Sequence, residues 1–338
     1  MDNEKLFKLG TIAEGIITEG KGILALDETA KSMEKKFKKY EIENSLENRN
    51  NLRECLITTP GISSKIGGVI LNEETFNTKM SDGTYLTKYL KDNGIYVGIK
   101  LDKGLIDFNE NEKISVGLED LRERIKLPVF RSASFAKWRS LIYLSDENST
   151  DKCIAENCRI LAEYSKICQE NGIVPIVEPE LFFDGKFTIE KSYFVMKKML
   201  SQLIYELNLQ NIYIPGLLLK ASFVSGSPDK TFTAQEVAQE TLNAFLSSIP
   251  CGIPGIVFLS GGHSSNKSIE YLNHINNLKG KRTWKLSFSF GRALTDEAIK
   301  EWNGGKGNYN KAQEIFKKTV DNCHKASLGK LEIQTDKK

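Results

Sequence analysis

Eight short apolar runs, nearly all closing on a polar or charged residue, limit what this chain can fold into. They lie at 22–27 (GILALD), 68–72 (GVILN), 97–102 (VGIKLD), 135–139 (FAKWR), 174–178 (VPIVE), 216–220 (GLLLK), 256–260 (IVFLS) and 285–290 (KLSFSF). Each has the length and β-favouring content of a buried strand. Helical patterns separate most of them. One runs from about 150 to 169 and stops at Asn171-Gly172, a C-cap pair; a second opens at Thr233, which forms a capping box with Glu236. A third is the stripe Ala312, Ile315, Phe316, Val320 and Cys323. Stretches 28–66 and 104–132 are less regular. Eight strands alternating with helices over 338 residues, with no linker between halves and only 8 Pro, predict a single-domain α/β fold over 1–338. A closed TIM (β/α)8 barrel suits the count better than an open doubly wound sheet.

Strand side chains alternate faces with a period of two. That parity puts Lys100 with Asp102, Lys137 with Arg139, and Glu178 with Glu180. By the same parity Asp27 follows Ile23 and Ala25, and Lys220 follows Gly216 and Leu218. A lone ion inside a barrel is costly, so charges gathered there must compensate one another or serve a ligand. Four acids (Asp27, Asp102, Glu178, Glu180) face five bases (Lys100, Lys137, Arg139, Lys220, Arg292), a mixture suited to a phosphorylated substrate with acid–base groups close by. Barrels commonly hold phosphate beyond strands seven and eight. Here those loops read Ser260-Gly261-Gly262-His263 and Phe290-Gly291-Arg292, with backbone N–H groups and one forked cation available. An amine attacks a ketone only when unprotonated; desolvation and a neighbouring cation such as Lys137 favour the neutral form of Lys220. The combination points to imine chemistry on a phosphorylated ketone.

Composition removes other classes. A net charge of +3 supplies no field for nucleic acid or an anionic membrane. Only nine arginines are present, so each is a marked position. Six cysteines without a CxxC pair, two of them (Cys158, Cys168) striped with Ile154 and Leu161, read as reduced core residues. The polar start and the lack of an 18-residue apolar run predict neither a secretory leader nor a membrane span, hence a cytoplasmic protein. No GxGxxG or GxxxxGKS turn follows the first strand, and three histidines are too few and too scattered for a His-rich zinc site. No cofactor and no metal are expected, although magnesium held by carboxylates is not removed by the histidine count.

The segments KGILALDET, IGGVILNEET, GIKLDKG, FAKWR, NGIVPIVEPE, GLLLK, FLSGG and LSFSFGRAL, in this order over about 21–330, resemble the class I (Schiff-base) fructose-bisphosphate aldolases. The resemblance implies a metal-independent glycolytic lyase that cleaves fructose 1,6-bisphosphate to dihydroxyacetone phosphate and glyceraldehyde 3-phosphate. Lys220 would form the imine with the C2 ketone, and Glu178 would serve as acid and base for the carbinolamine. Asp27 would take the C4 hydroxyl proton, with Lys137 and Glu180 tuning the site. Ser260, Gly261, Gly291 and Arg292 would hold the C1 phosphate. Lys100, Arg139, Thr29, Ser32 and Lys36 would lie towards the C6 phosphate. The partners implied are sugar phosphates and three further copies of the chain in a homotetramer, with no nucleic acid and no membrane.

Several positions depart from the family pattern. Ala30-Lys31 stands where a glycine-containing turn is usual, and Lys36 replaces an Arg. Ala-Ser-Phe-Val follows Lys220 in place of Pro-Asn-Met-Val. Phe290 replaces a Tyr, removing a hydroxyl expected near the phosphate loop, and His263 stands where Gln is common. The short tail, from about 331, carries no terminal Tyr. The residues alone leave two alternatives open: another imine-forming lyase such as a transaldolase, and a barrel kept as a scaffold for cytoskeletal or adhesin tails.

Overall fold

A computed structural model describes residues 2–144, 150–183, 185–227, 229–280 and 282–332. Beyond Glu332 the expected tail lies outside the described residues. Eight parallel strands close into one barrel in which every sequence neighbour is also a spatial neighbour: β1 (Gly22–Leu26), β2 (Ile66–Leu71), β3 (Tyr96–Lys100), β4 (Phe135–Leu144), β5 (Val174–Phe183), β6 (Leu218–Ala221), β7 (Gly255–Phe258) and β8 (Lys285–Phe290). This is the expected TIM barrel. The main helices are α1 (Asn3–Ile16), α2 (Ala30–Lys38), α3 (Leu46–Ile57), α4 (Asp151–Glu170), α5 (Ile189–Leu209), α6 (Ala234–Leu246), α7 (Ser265–Asn277), α8 (Arg292–Trp302) and α9 (Tyr309–Ser327). The α4 helix opens on Thr150, and Gly172 takes φ 71 just past its end. The Thr233–Glu236 capping box opens α6.

Alternation along the strands divides the core. Leu24, Leu26, Val69, Leu71, Phe258 and Phe288 face the helices, whereas Ile23, Ala25, Ile70, Phe135, Ile176 and Leu218 fill the barrel. The interior is stepped in size. A Cβ at Gly98 would lie 2.2 Å from the Phe135 ring, so one glycine makes room for one large neighbour.

Three elements add to the eight runs. The α1 helix, with Leu9, Ile12, Ala13 and Ile16 buried at helical spacing, packs into the interior cluster and closes the N-terminal end of the barrel. In 104–132, Leu105–Asp107 pairs antiparallel with Lys113–Ser115. That ribbon rests on β4, where Trp138 Nε1 donates to Ser115 Oγ at 2.7 Å. The β4 and β5 strands each run ten residues, so Leu141–Leu144 and Leu181–Phe183 continue as a two-stranded extension past the rim.

The close fit of α1 is testable. A Cβ at Gly67 would stand 1.9 Å from the backbone oxygen of Ile16, an atom that cannot rotate away. Gly67→Ala is expected to lower the unfolding free energy in urea by about 1–3 kcal/mol. Gly307→Ala, with nothing within 4 Å of its Cβ, should shift it by less than about 0.5 kcal/mol. Equal effects would remove the tight α1 seat as the cause.

Candidate active site

Strand parity carries the charged side chains to the C-terminal mouth of the barrel, above the apolar filling. A cavity of about 590 Å³ opens there. Asp27, Lys137, Arg139, Glu178, Glu180 and Lys220 line its floor and one wall, and Ser260, Gly261, Gly291 and Arg292 its far side.

Glu178 is the centre of the floor. One carboxylate oxygen lies 2.9 Å from Lys220 Nζ, and the other 3.2 Å from Lys137 Nζ. The second approach lacks hydrogen-bond alignment, leaving Glu178 Oε2 with an unused acceptor. Lys137 Nζ also sits 2.7 Å from Asp27 Oδ2. Arg139 Nε donates to Glu180 Oε2 at 2.5 Å. These three acids and three bases balance, which is what makes their burial tolerable.

Burial raises the Asp27 carboxyl, but the charges of Lys137 and Lys220 more than reverse it, and the group titrates at about 2. Burial pushes the Lys137 ammonium down, yet Asp27 and Glu178 outweigh it and hold the proton more firmly than usual. Glu178 follows the same pattern: burial opposes its charge, and Lys137, Lys220 and Arg139 bring its pKa below the ordinary carboxylate value. Arg139 is desolvated but held cationic by Glu180.

The opposite wall is made for an anion. Gly261 and Gly262 have φ of 55° and 90°, and His263 N donates to Ser260 O at 2.9 Å. Two successive positive φ values make a type I′ turn, which glycine adopts without strain. The α8 helix starts at Arg292 with no side-chain cap, so the positive end of its dipole faces the cavity. Ser289 Oγ is buried on this wall without a protein partner.

The remaining sequence candidates divide. Ser32 and Lys36 line the cavity. Lys36 is held by Glu28 Oε1 and Thr295 Oγ1, each at 2.8 Å, which sets it on the α8 side within a turn of Arg292. Thr29 and Lys100 stand outside the lining. The Thr29 hydroxyl caps α2 by accepting from Ser32 N, and Lys100 pairs with Asp102 at 2.8 Å. The Phe290 position corrects the reading of a lost hydroxyl near the phosphate loop. Its ring turns outward into the helix-side core, and Ser289 takes the inward place. His263 packs against Phe183 and Tyr271, where burial lowers its pKa to about 4.

Glu28, Lys35, Lys39, Tyr40, Ser289 and Asp296 also line the cavity and were not among the candidates. Two signals could have found some of them. Ser32, Lys35 and Lys39 follow helical spacing on one face, and Ser289 shares the inward parity of Ser287.

The sequence matches the family model described as "Fructose-bisphosphate aldolase class-I" over residues 8–338. It is 52% identical over 333 residues to a fructose-bisphosphate aldolase of Encephalitozoon cuniculi, covering 98% of each chain. It is 39% identical to a cytosolic fructose-bisphosphate aldolase of Arabidopsis thaliana, covering 96% of this chain and 84% of the relative. The fold superposes with a TM-score of 0.95 and 36% identity on fructose-bisphosphate aldolase from Plasmodium falciparum, solved with TRAP and a small-molecule inhibitor; 98% of this chain and 97% of that one are covered. An eight-stranded barrel with paired lysines at its mouth and likeness along its whole length lead to one assignment: this chain belongs to the class-I fructose-bisphosphate aldolase family of Schiff-base lyases.

Proposed function

We propose that the cavity cleaves fructose 1,6-bisphosphate reversibly through an imine on Lys220, with the residue roles set out as follows. The observation that carries the reading is the Glu178 carboxylate bracketed by Lys220 at 2.9 Å and Lys137 at 3.2 Å. Moving a proton from Lys220 to Glu178 neutralises both partners and leaves the net charge of the pocket unchanged. The freed amine attacks the C2 carbonyl, and Glu178 returns the proton to the carbinolamine oxygen, which departs as water. Asp27 takes the proton of the C4 hydroxyl as the C3–C4 bond breaks. The electron pair passes into the iminium, giving an enamine, and glyceraldehyde 3-phosphate leaves. Protonation at C3 and hydrolysis then release dihydroxyacetone phosphate. Lys137 keeps its proton throughout and stabilises whichever carboxylate is charged.

Ser260, Gly261, Gly291 and Arg292 hold the C1 phosphate, supported by the type I′ turn and the open end of α8. The position of Lys36 beside Thr295 favours this end of the substrate over the C6 end. Arg139 and Ser32, which line the cavity, serve the C6 phosphate; Lys100 supports that wall from outside through its pair with Asp102, and Thr29 orders the first turn of α2. A single catalytic domain, a homotetramer and a cytoplasmic location complete the reading. The exposed apolar residues Phe194, Tyr205 and Leu209 on α5 support assembly, and sedimentation equilibrium tests it. No helix is long and apolar enough to cross a membrane among the described residues.

Borohydride reduction in the presence of dihydroxyacetone phosphate tests the chemistry. A reduced adduct on the peptide carrying Lys220 is expected, and EDTA should leave cleavage unchanged. An adduct absent from Lys220, or activity lost to the chelator, would overturn the assignment.

A further inference from the structure

Asn72 lies immediately after β2 and is only 9% exposed. Its side chain makes contacts in two directions. On one side Oδ1 accepts from Thr75 N at 2.9 Å and from Thr75 Oγ1 at 2.6 Å, capping the short helix Glu73–Phe76. On the other, Nδ2 donates to the backbone oxygen of Glu28 at 2.8 Å. Ser, Thr or Asp could supply the cap, because capping needs only an oxygen. Asn carries its donor on a second arm, separate from the capping oxygen, and that arm reaches Glu28.

The Glu28 oxygen is held from a second direction. Arg53 of α3, 2% exposed, donates to it from Nη2 at 3.3 Å. The same guanidinium donates to Glu74 Oε1 at 2.8 Å, and Glu74 is gripped in turn by both prongs of Arg49. The turn from β1 into α2 is therefore pinned at the residue between Asp27 and the helix cap Thr29. A carbonyl with two donors fixes the Glu28–Thr29 peptide plane and so restrains the backbone of Glu28, to which the preceding residue is joined. That preceding residue is Asp27, whose carboxylate stands 2.7 Å from Lys137.

We propose that Asn72 is a positioning residue for carbon–carbon cleavage: its amide, together with Arg53, holds the Glu28 carbonyl and so aims Asp27 at the C4 hydroxyl. This rests on the reading of Asp27 as the base for that proton. It makes a prediction about one chemical step only. Imine formation belongs to Lys220 and Glu178 on β6 and β5, across the barrel from Asn72, and does not pass through the β1 turn.

The experiment compares wild type with Asn72→Asp and Asn72→Ser, which keep the capping oxygen and lack the amide nitrogen that reaches Glu28. Asn72→Ser is neutral, and so serves as the second variant if the added charge beside Glu74 disturbs folding. For fructose 1,6-bisphosphate cleavage, kcat is expected to fall roughly tenfold, because small misplacement of a catalytic group carries that order of cost. KM should stay within about twofold. The borohydride-trapped adduct of dihydroxyacetone phosphate on Lys220 should form to the wild-type extent. Two results would overturn the proposal: kcat of Asn72→Ser within about twofold of wild type, or trapping that declines in step with kcat, which marks a general loosening of the site. Absence of the adduct in wild type itself would instead strike the reading on which the proposal rests.

Discussion

Lys220→Ala is expected to abolish the borohydride adduct and to lower kcat/KM for fructose 1,6-bisphosphate by roughly 10⁵-fold or more, the scale seen when a covalent nucleophile is removed. Neither Lys137 nor Lys36 can take its place without a large cost. Lys137 is committed to Asp27 at 2.7 Å and Glu178 at 3.2 Å, and its proton is held more firmly than that of an ordinary lysine. Lys36 is engaged by Glu28 and Thr295. Circular dichroism should show an intact fold, since Glu178 keeps Lys137 as a partner. Steady-state kinetics and peptide mapping of the reduced protein decide the matter. Substantial turnover in the variant, with the adduct moved to Lys137, would transfer the nucleophile's role there.

Lys137→Met carries the largest expected loss of stability. Removing the cation leaves Asp27 and Glu178 buried with Lys220 as their nearest remaining compensation. Breaking a buried pair from one side costs about 3–5 kcal/mol. The pH dependence has a definite sign. In the wild type Asp27 titrates at about 2, below its ordinary 3.8. Its stabilising contribution is therefore complete above about pH 4 and is lost as pH falls towards 2. In the variant the main opposing charge is gone, and burial carries the carboxyl above its unfolded value. A group raised in this way destabilises the fold at neutral pH and stops doing so once protonated. The stability gap between the two proteins should therefore be widest near pH 7 and narrow towards about pH 4. Urea titrations at both ends of that range measure it, and a gap that does not change with pH would remove Asp27 as its cause.

Much of the cavity floor was legible because two simple signals coincide. Apolar runs mark strands, and a period of two then decides which terminal charge turns inward. Ile23, Ala25 and Asp27 share one face in the sequence and in the barrel, as do Lys137 with Arg139 and Glu178 with Glu180. Features fixed by contacts between distant segments were not legible. The α1 helix has an ordinary amphipathic pattern behind a polar start, and its place under the barrel depends on Gly67 and on Ile17 beside Gly255. The extension of β4 and β5 beyond the rim is stabilised by the two strands pairing with each other, which neither segment announces. Asn72 reads as a routine helix cap. Its second bond reaches a carbonyl 44 residues earlier, a distance no local pattern encodes. Phe290 shows the opposite case. Parity already turned it away from the interior, and the comparison of residue types alone misjudged what its missing hydroxyl could touch.

The plug formed by α1 bears on how the products depart. With Leu9, Ile12 and Ile16 filling the lower opening, the reaction chamber is closed at that end. In the proposed chemistry the three-carbon ketone fragment stays tethered to the floor after bond scission, while the aldehyde fragment is free. Traffic through the opposite mouth then has a sequence set by the tether: the untethered aldehyde leaves first, the tethered half follows after hydrolysis, and in the reverse direction the ketone must enter and be captured before the aldehyde can react.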